Sequence, residues 1–113
     1  MKILYSDKDI VVCEKEPGVL SQSDGNEKAD MLSLLSEHFG ETIYPVHRLD
    51  RNTGGVMVYA KTEKAAGKLS ELIQNKDAFI KEYLAVTEGK PEEKGEMRDL
   101  LYKSARDNKA YIV

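Results

Sequence analysis

The stretch "YPVHRLDRNTGGVMVYAKT", residues 44–62, carries a turn and the strand that follows it. Val56, Met57, Val58 and Tyr59 are β-branched, long or aromatic, and predict a strand over Gly55 to Lys61. Pro45 cannot donate to a ladder, so Thr42 to Val46 is expected as an extended piece at a sheet edge or entry. Between them one carboxylate, Asp50, stands among Arg48, Leu49 and Arg51. An aspartate ahead of a strand commonly caps its own turn, and its arginine neighbours are then solvated charges. Three features favour more than that. Leu49 is placed to bury and so to fix Asp50. Thr53 and Gly54 shape the loop, and the Gly54-Gly55 pair permits close backbone approach. The strand behind is a rigid base for a reacting group. A single carboxylate excludes paired-carboxylate glycosidase chemistry within this loop. It leaves open a nucleophile or base working at a sugar carbon.

Working outward, Ile3-Leu4-Tyr5 and Asp9 to Lys15 predict two more strands, the second closed by Pro17-Gly18. "EPGVLSQSDGNEK", from Glu16 to Lys28, reads as an extended loop. Asp30 is the expected N-cap of a helix with Met31, Leu34, Leu35 and Phe39 on one face and Gly40 as its stop. Thr62 caps a second helix with an apolar stripe of Ala65, Ala66, Leu69, Leu72 and Ile73, ended by Asn75-Lys76-Asp77. Phe79 to Thr87, Leu100 to Lys103 and Lys109 to Val113 are expected as strands, with Arg106-Asp107-Asn108 turning between the last two. Strand runs broken by two helices give an α+β class: a mixed, largely antiparallel sheet with two helices packed on it.

The 113 residues suit one domain, and 33% charged against 41% hydrophobic residues fit a globular, soluble chain. Cys13 is the single cysteine, which excludes an internal disulfide and a cysteine-based metal site, and suggests a reducing, cytoplasmic setting. Cys13 itself, in a Val-rich strand, is expected as a small core residue. No apolar run has the length of a membrane span, and Met1 to Asp7 lacks the pattern of a signal peptide. The net charge of −3 argues mildly against nucleic acid. Its distribution argues less so, because His47 to Lys68 holds five basic residues against Asp50 and Glu63.

The residues "HRLDRNTGGVMVYAKT" resemble the signature of the RluA-type pseudouridine synthases: His-Arg-Leu-Asp, two variable residues, Thr-Ser-Gly, an apolar strand and Ala-Lys. "DKDIVVCEKEPGVLSQSD" is similar to that family's opening strand and its Lys-Pro-Gly-type loop, and "KEYLAVTEG" to its Lys-x-Tyr-x-Ala strand. The resemblance spans Asp7 to Gly89. It implies a cofactor-free, metal-free isomerase that turns uridine into pseudouridine in ribosomal or transfer RNA. Asp50 matches the essential aspartate, Arg48 the arginine that holds the flipped nucleotide, and Tyr83 the tyrosine that packs on the target base. Arg51 is assigned to phosphate contact. Read from the residues alone, Tyr83 falls on a strand face with Lys81 and Ala85, and a core tyrosine is the simpler reading. His47 reads as a packed or hydrogen-bonded histidine.

Two departures from the family pattern stand out. Gly54 replaces the family's Ser, which is expected to loosen the loop. Lys15 is separated from Pro17 by Glu16, where the family continues Lys-Pro. The family's later Gly-Arg-x-His-Gln-x-Arg segment, which brings a basic partner to the aspartate, does not occur in this sequence. Residues 1–113 are therefore expected to be the N-terminal part of a catalytic domain, inactive alone and prone to self-association through strand edges. Competing readings are an RNA-binding module without chemistry and a purely structural piece.

Overall fold

A computed structural model of the chain describes residues 1–22, 30–106 and 109–112, in two units, Met1–Lys81 and Glu82–Val113. The first unit begins with a hairpin. Strands β1 (Lys2–Ser6) and β2 (Ile10–Lys15) pair antiparallel. Asp7 builds their turn: its Oδ1 accepts from the amides of Asp9 (2.8 Å) and Ile10 (2.9 Å), the local bonding that favours aspartate in turns. Those two amide bonds hold the Asp7 carboxyl below its ordinary value.

Asp30 caps helix α1 (Met31–Phe39), accepting from the Ser33 amide at 2.9 Å and the Ser33 hydroxyl at 2.8 Å. Gly40 ends it in the left-handed conformation, φ 65°, where a Cβ would be strained. Strand β3 (Tyr44–Pro45) is short and lies at the sheet edge, where a residue without an amide donor is tolerated. Strand β4 (Gly55–Ala60) runs antiparallel to both β2 and β3. Helix α2 (Glu63–Gln74) follows, capped by Thr62, whose Oγ1 accepts from the Ala65 amide at 3.1 Å. The sheet order is β1-β2-β4-β3, antiparallel throughout, and a parallel bridge joins Leu20 to Asp30.

The β2–β4 register pairs Val11 with Tyr59 and Cys13 with Met57. Side chains alternate along a strand, so these four share one face. All four are buried, in one cluster with Met31 and Leu35 of α1 and with Ile43. Burial raises the Cys13 thiol to about 11, so the thiol stays protonated as a small core group. Val58 and Ala60, on the other face by alternation, are buried too, and α2 neighbours β4 and β3. The stripe on α2 is shallower than its pattern suggests. Ala65, Ala66, Leu69 and Ile73 are half-buried, and Leu72 is exposed.

The second unit holds one hairpin, β5 (Leu101–Ser104) and β6 (Lys109–Ile112). Two residues of the expected 106–108 turn, Asp107 and Asn108, lie outside the described residues, as do residues 23–28 of the expected loop and Val113. The strand expected over Phe79 to Thr87 does not form. A strand is completed by a ladder, and none of the described strands pairs with this stretch; Leu84 and Val86 are fully exposed. Tyr83 accordingly has no strand face to share with Lys81 and Ala85, and its own side chain is exposed.

Core depth gives a direct test. Leu35 has no exposed surface, whereas Leu34 beside it is half-buried. Leu35→Ala is expected to lower stability by about 2–5 kcal/mol in urea unfolding, and Leu34→Ala by clearly less. Equal losses would mean that α1 presents a different face to the sheet.

Candidate active site

The turn after Leu49 is closed by the Thr53 amide donating to the Asp50 carbonyl at 3.0 Å. Leu49 itself is half-buried and packs against the core cluster, as its position between charges suggested. Its backbone is held by one side chain. The Ser21 hydroxyl accepts from the Leu49 amide (2.9 Å) and donates to the Leu49 carbonyl (2.7 Å). The Tyr59 hydroxyl, inside the core, donates to the Ser21 carbonyl at 2.7 Å, and burial pushes its proton loss well above the ordinary range. The chain from Tyr59 through Ser21 to Leu49 therefore ties the residue before Asp50 to the sheet.

A second tether starts at Lys15, the last residue of β2. Its side chain is buried, and its ammonium donates to the carbonyls of Glu16 (3.1 Å), Val19 and Arg51 (2.8 Å). The Gly18 amide adds a bond to the same Arg51 carbonyl at 2.7 Å. Burial lowers the proton affinity of Lys15, and the Asp50 carboxylate opposes that shift. From the sequence, Lys15 reads as the end of a strand and as part of a loop motif, with no role assigned at the site. Its signal was a lysine ending an apolar strand, and only the folded loops supply three carbonyls for it.

Arg48, Asp50 and Arg51 are exposed and line one cavity of about 200 Å³ together with Leu20, Ser21, Gln22 and Leu49. The fold thus brings three of the four residues singled out for catalysis and substrate contact to one place. The fourth, Tyr83, belongs to the second unit. Among the described residues, no group of three or more His, Cys, Asp or Glu is placed to hold a metal, and no helix is long and apolar enough to cross a membrane.

Position 54 has no room for a side chain without a shift of its neighbours. A Cβ on Gly54 would sit 2.8 Å from Pro17 Cδ, 3.0 Å from Pro17 Cγ and 3.2 Å from the Lys15 carbonyl. Pro17 presses on the place where the family's serine would stand, so the two departures from the family pattern face each other. Thr53, beside it, is half-buried and supplies the amide that closes the turn.

His47 is packed, as expected. Its Nε2 accepts from the Val58 amide at 3.1 Å, which places the ring proton on Nδ1, and its ring meets Phe79 edge-on with centroids 5.8 Å apart. Burial, and secondarily the Lys81 charge, hold the imidazole below its ordinary 6.5.

Comparisons with known proteins identify the family. The family model described as RNA pseudouridylate synthase matches residues 9–112. The "tRNA pseudouridine synthase C" of Haemophilus ducreyi is 34% identical over 100 residues, covering 86% of this chain and 41% of that protein. The protein of the same name from Pasteurella multocida is 35% identical over 92 residues, covering 79% of this chain and 37% of that one. Among solved structures, human RNA Pseudouridylate Synthase Domain Containing 4 matches with a TM-score of 0.56 and 30% identity, over 67% of this chain and 30% of that one. The chain belongs to the RNA pseudouridylate synthase family. It spans about two-fifths of the length of the curated relatives it matches.

Two measurements test the site. Gly54→Ser is expected to cost about 1–3 kcal/mol by overpacking against Pro17. In a Pro17→Ala background the cost should shrink, because Cγ and Cδ are gone; strict additivity would refute the contact. For His47, the depressed proton affinity means that the unfolded chain takes up the proton first as pH falls. Its contribution is complete above pH 6.5 and is lost as pH falls through the folded-state value. An imidazole NMR titration should show a midpoint below 6.5, and His47→Gln should flatten that part of the stability profile.

Proposed function

We propose that this chain is the N-terminal part of the catalytic domain of an RNA pseudouridine synthase, with Asp50 as its catalytic carboxylate. One observation carries the reading: Asp50, Arg48 and Arg51 line a single cavity on a loop tethered to the core at Leu49 and Arg51. The cavity exceeds several-fold the ~30 Å³ that a water occupies in the liquid, a scale that suits part of a nucleoside.

The reaction rearranges one nucleotide. The N1–C1′ bond of uridine breaks, the freed base turns, C5 bonds to C1′, and the proton leaving C5 is balanced by one gained at N1. Nothing enters or leaves overall, so the chemistry calls for no cofactor. Asp50 acts on the ribose, as nucleophile at C1′ or as base at C2′. A base in a helix must first be flipped out, at a cost of about a few kcal/mol. Arg48 is the residue assigned to hold the flipped state and Arg51 the residue for a phosphate. Tyr83 is assigned to packing against the base. Transfer RNA is the favoured substrate because the relatives' names state it for those proteins; ribosomal RNA is the alternative. The remaining part of the domain supplies a basic partner for Asp50, so residues 1–113 alone are inactive.

The test is tritium release from transcribed transfer and ribosomal RNA by a longer product of the same gene. Asp50→Asn is expected to lower conversion by more than about 10³-fold while leaving the urea midpoint nearly unchanged, since Asp50 is exposed. Substantial conversion by that variant would sink the assignment. Turnover by residues 1–113 alone would show that the rest of the domain is dispensable.

A further inference from the structure

We propose that Gln22 holds the target uracil while it turns, its side-chain amide bonding the base at N3–H and at the carbonyl beside it. The proposal rests on the reading of the Asp50 cavity as the reaction site. Gln22 is exposed and lines that cavity together with Asp50, Arg48 and Arg51. An exposed glutamine on a loop is ordinarily a solvated surface group. Two features set this one apart. The carbonyl of the Ser21–Gln22 peptide accepts the hydroxyl of the fully buried Tyr59 at 2.7 Å, so the backbone that carries Gln22 is fixed to the core. The Ser21 hydroxyl bonds both backbone groups of Leu49, at 2.9 Å and 2.7 Å. Gln22 and Asp50 are the residues directly after that clamped pair. Their backbones are thereby held at a set spacing, and both residues line one cavity.

The lining groups differ in what they can bond. The Ser21 hydroxyl is engaged by Leu49, Asp50 is the reacting carboxylate, and Arg48 and Arg51 carry charges suited to phosphate. Uracil is neutral, and its outer edge offers an acceptor, a donor and an acceptor: O2, N3–H and O4. The Gln22 carboxamide sets a neutral acceptor beside a neutral donor, matching N3–H and O4. Once the N1–C1′ bond has broken, C5 reaches C1′ by half a turn of the base about the line through N3 and C6. That turn exchanges N1 with C5 and O4 with O2, and it leaves N3–H on the axis. The bond from N3–H to the glutamine oxygen therefore lasts through the turn, while the amide donor passes from O4 to O2. One side chain thus holds the base before and after the turn and keeps it in line with C1′.

The experiment uses a longer product of the gene, with Asp50→Asn alongside, and tritium release from C5 of the target. Two RNAs are compared: a transfer RNA, and the same RNA with 4-thiouridine at the target uridine, mapped first with the wild-type enzyme. Sulfur in place of O4 is a poor acceptor. Gln22→Met keeps the length of the side chain and removes both bonds. On the uridine RNA it is expected to lose about 30-fold in kcat and to keep KM within about three-fold, because phosphate contacts dominate RNA affinity. The sulfur is expected to slow wild type by about ten-fold, the worth of one hydrogen bond, and Gln22→Met by less than about two-fold. Gln22→Glu, equal in size, keeps the acceptor for N3–H but turns an oxygen toward the base carbonyl, and should lose at least about ten-fold in kcat. If Gln22→Met does not fold, Gln22→Glu on the two RNAs decides. A kcat within about three-fold of wild type, a loss confined to KM, or equal sulfur effects in wild type and variant overturns the proposal. So does failure of both variants to fold, which would make Gln22 structural only. An active Asp50→Asn would instead refute the cavity as the reaction site, whereas an inactive Asp50→Asn beside a fully active Gln22→Met refutes the role of Gln22 alone.

Discussion

The buried ammonium of Lys15 is the constraint on which the site depends. An unpaired charge in a protein interior is so costly that the group gives up its charge or finds partners. Here the partners are the carbonyls of Glu16, Val19 and Arg51. Three dipoles converge on one nitrogen only if the loop after β2 and the turn before β4 adopt a fixed relative position. The Gly18 amide, bonded to the Arg51 carbonyl, locks the same two segments a second time. The pairing of β2 with β4 brings Lys15 opposite Gly55, so the sheet register delivers both loops to one end. The need to satisfy one charge thus fixes the backbone of Arg51, one of the residues that line the cavity.

The other side of the turn is held by smaller forces acting in series. Tyr59 is buried in the core, its hydroxyl holds the Ser21 carbonyl, and the Ser21 hydroxyl holds both backbone groups of Leu49. Each such bond contributes about 0.5–1.5 kcal/mol net, yet leaving a buried partner unsatisfied costs more. Leu49 adds apolar contact with the core. Asp50 is therefore exposed to solvent while the residues on both sides of it are anchored. That combination suits a reacting carboxylate, which must meet substrate without moving. Pro17 and Gly54 show the same economy of space, since the ring occupies the volume that a side chain at 54 would need.

The second unit is built differently. Its hairpin and the segment before it expose Leu84, Val86, Met97, Leu100, Leu101 and Ile112. Apolar surface on this scale marks an interaction site or a packing partner more often than bare surface. The strand pattern of Phe79 to Thr87 is real as a sequence pattern, with apolar residues at high β-propensity. Pattern alone does not make a strand, because a ladder needs a second strand to receive it.

Much of the first unit was legible in the sequence, for local reasons. Asp30, Thr62 and Gly40 act on backbone groups a few residues away, so caps and stops can be read without knowing the fold. The apolar runs Ile10–Lys15 and Gly55–Ala60 and the edge position forced by Pro45 are likewise short-range facts. The motif around Asp50 was legible too, because Arg48, Asp50 and Arg51 lie within four residues and one turn carries them to one cavity. What only the tertiary structure decided depends on residues far apart in the chain. Lys15 meets Arg51, Ser21 meets Leu49, Tyr59 meets Ser21 and Gly54 meets Pro17, each across 28 or more positions. Those contacts arise from the pairing of β2 with β4. A sequence states which groups can bond, but the sheet register sets which of them come within bonding distance.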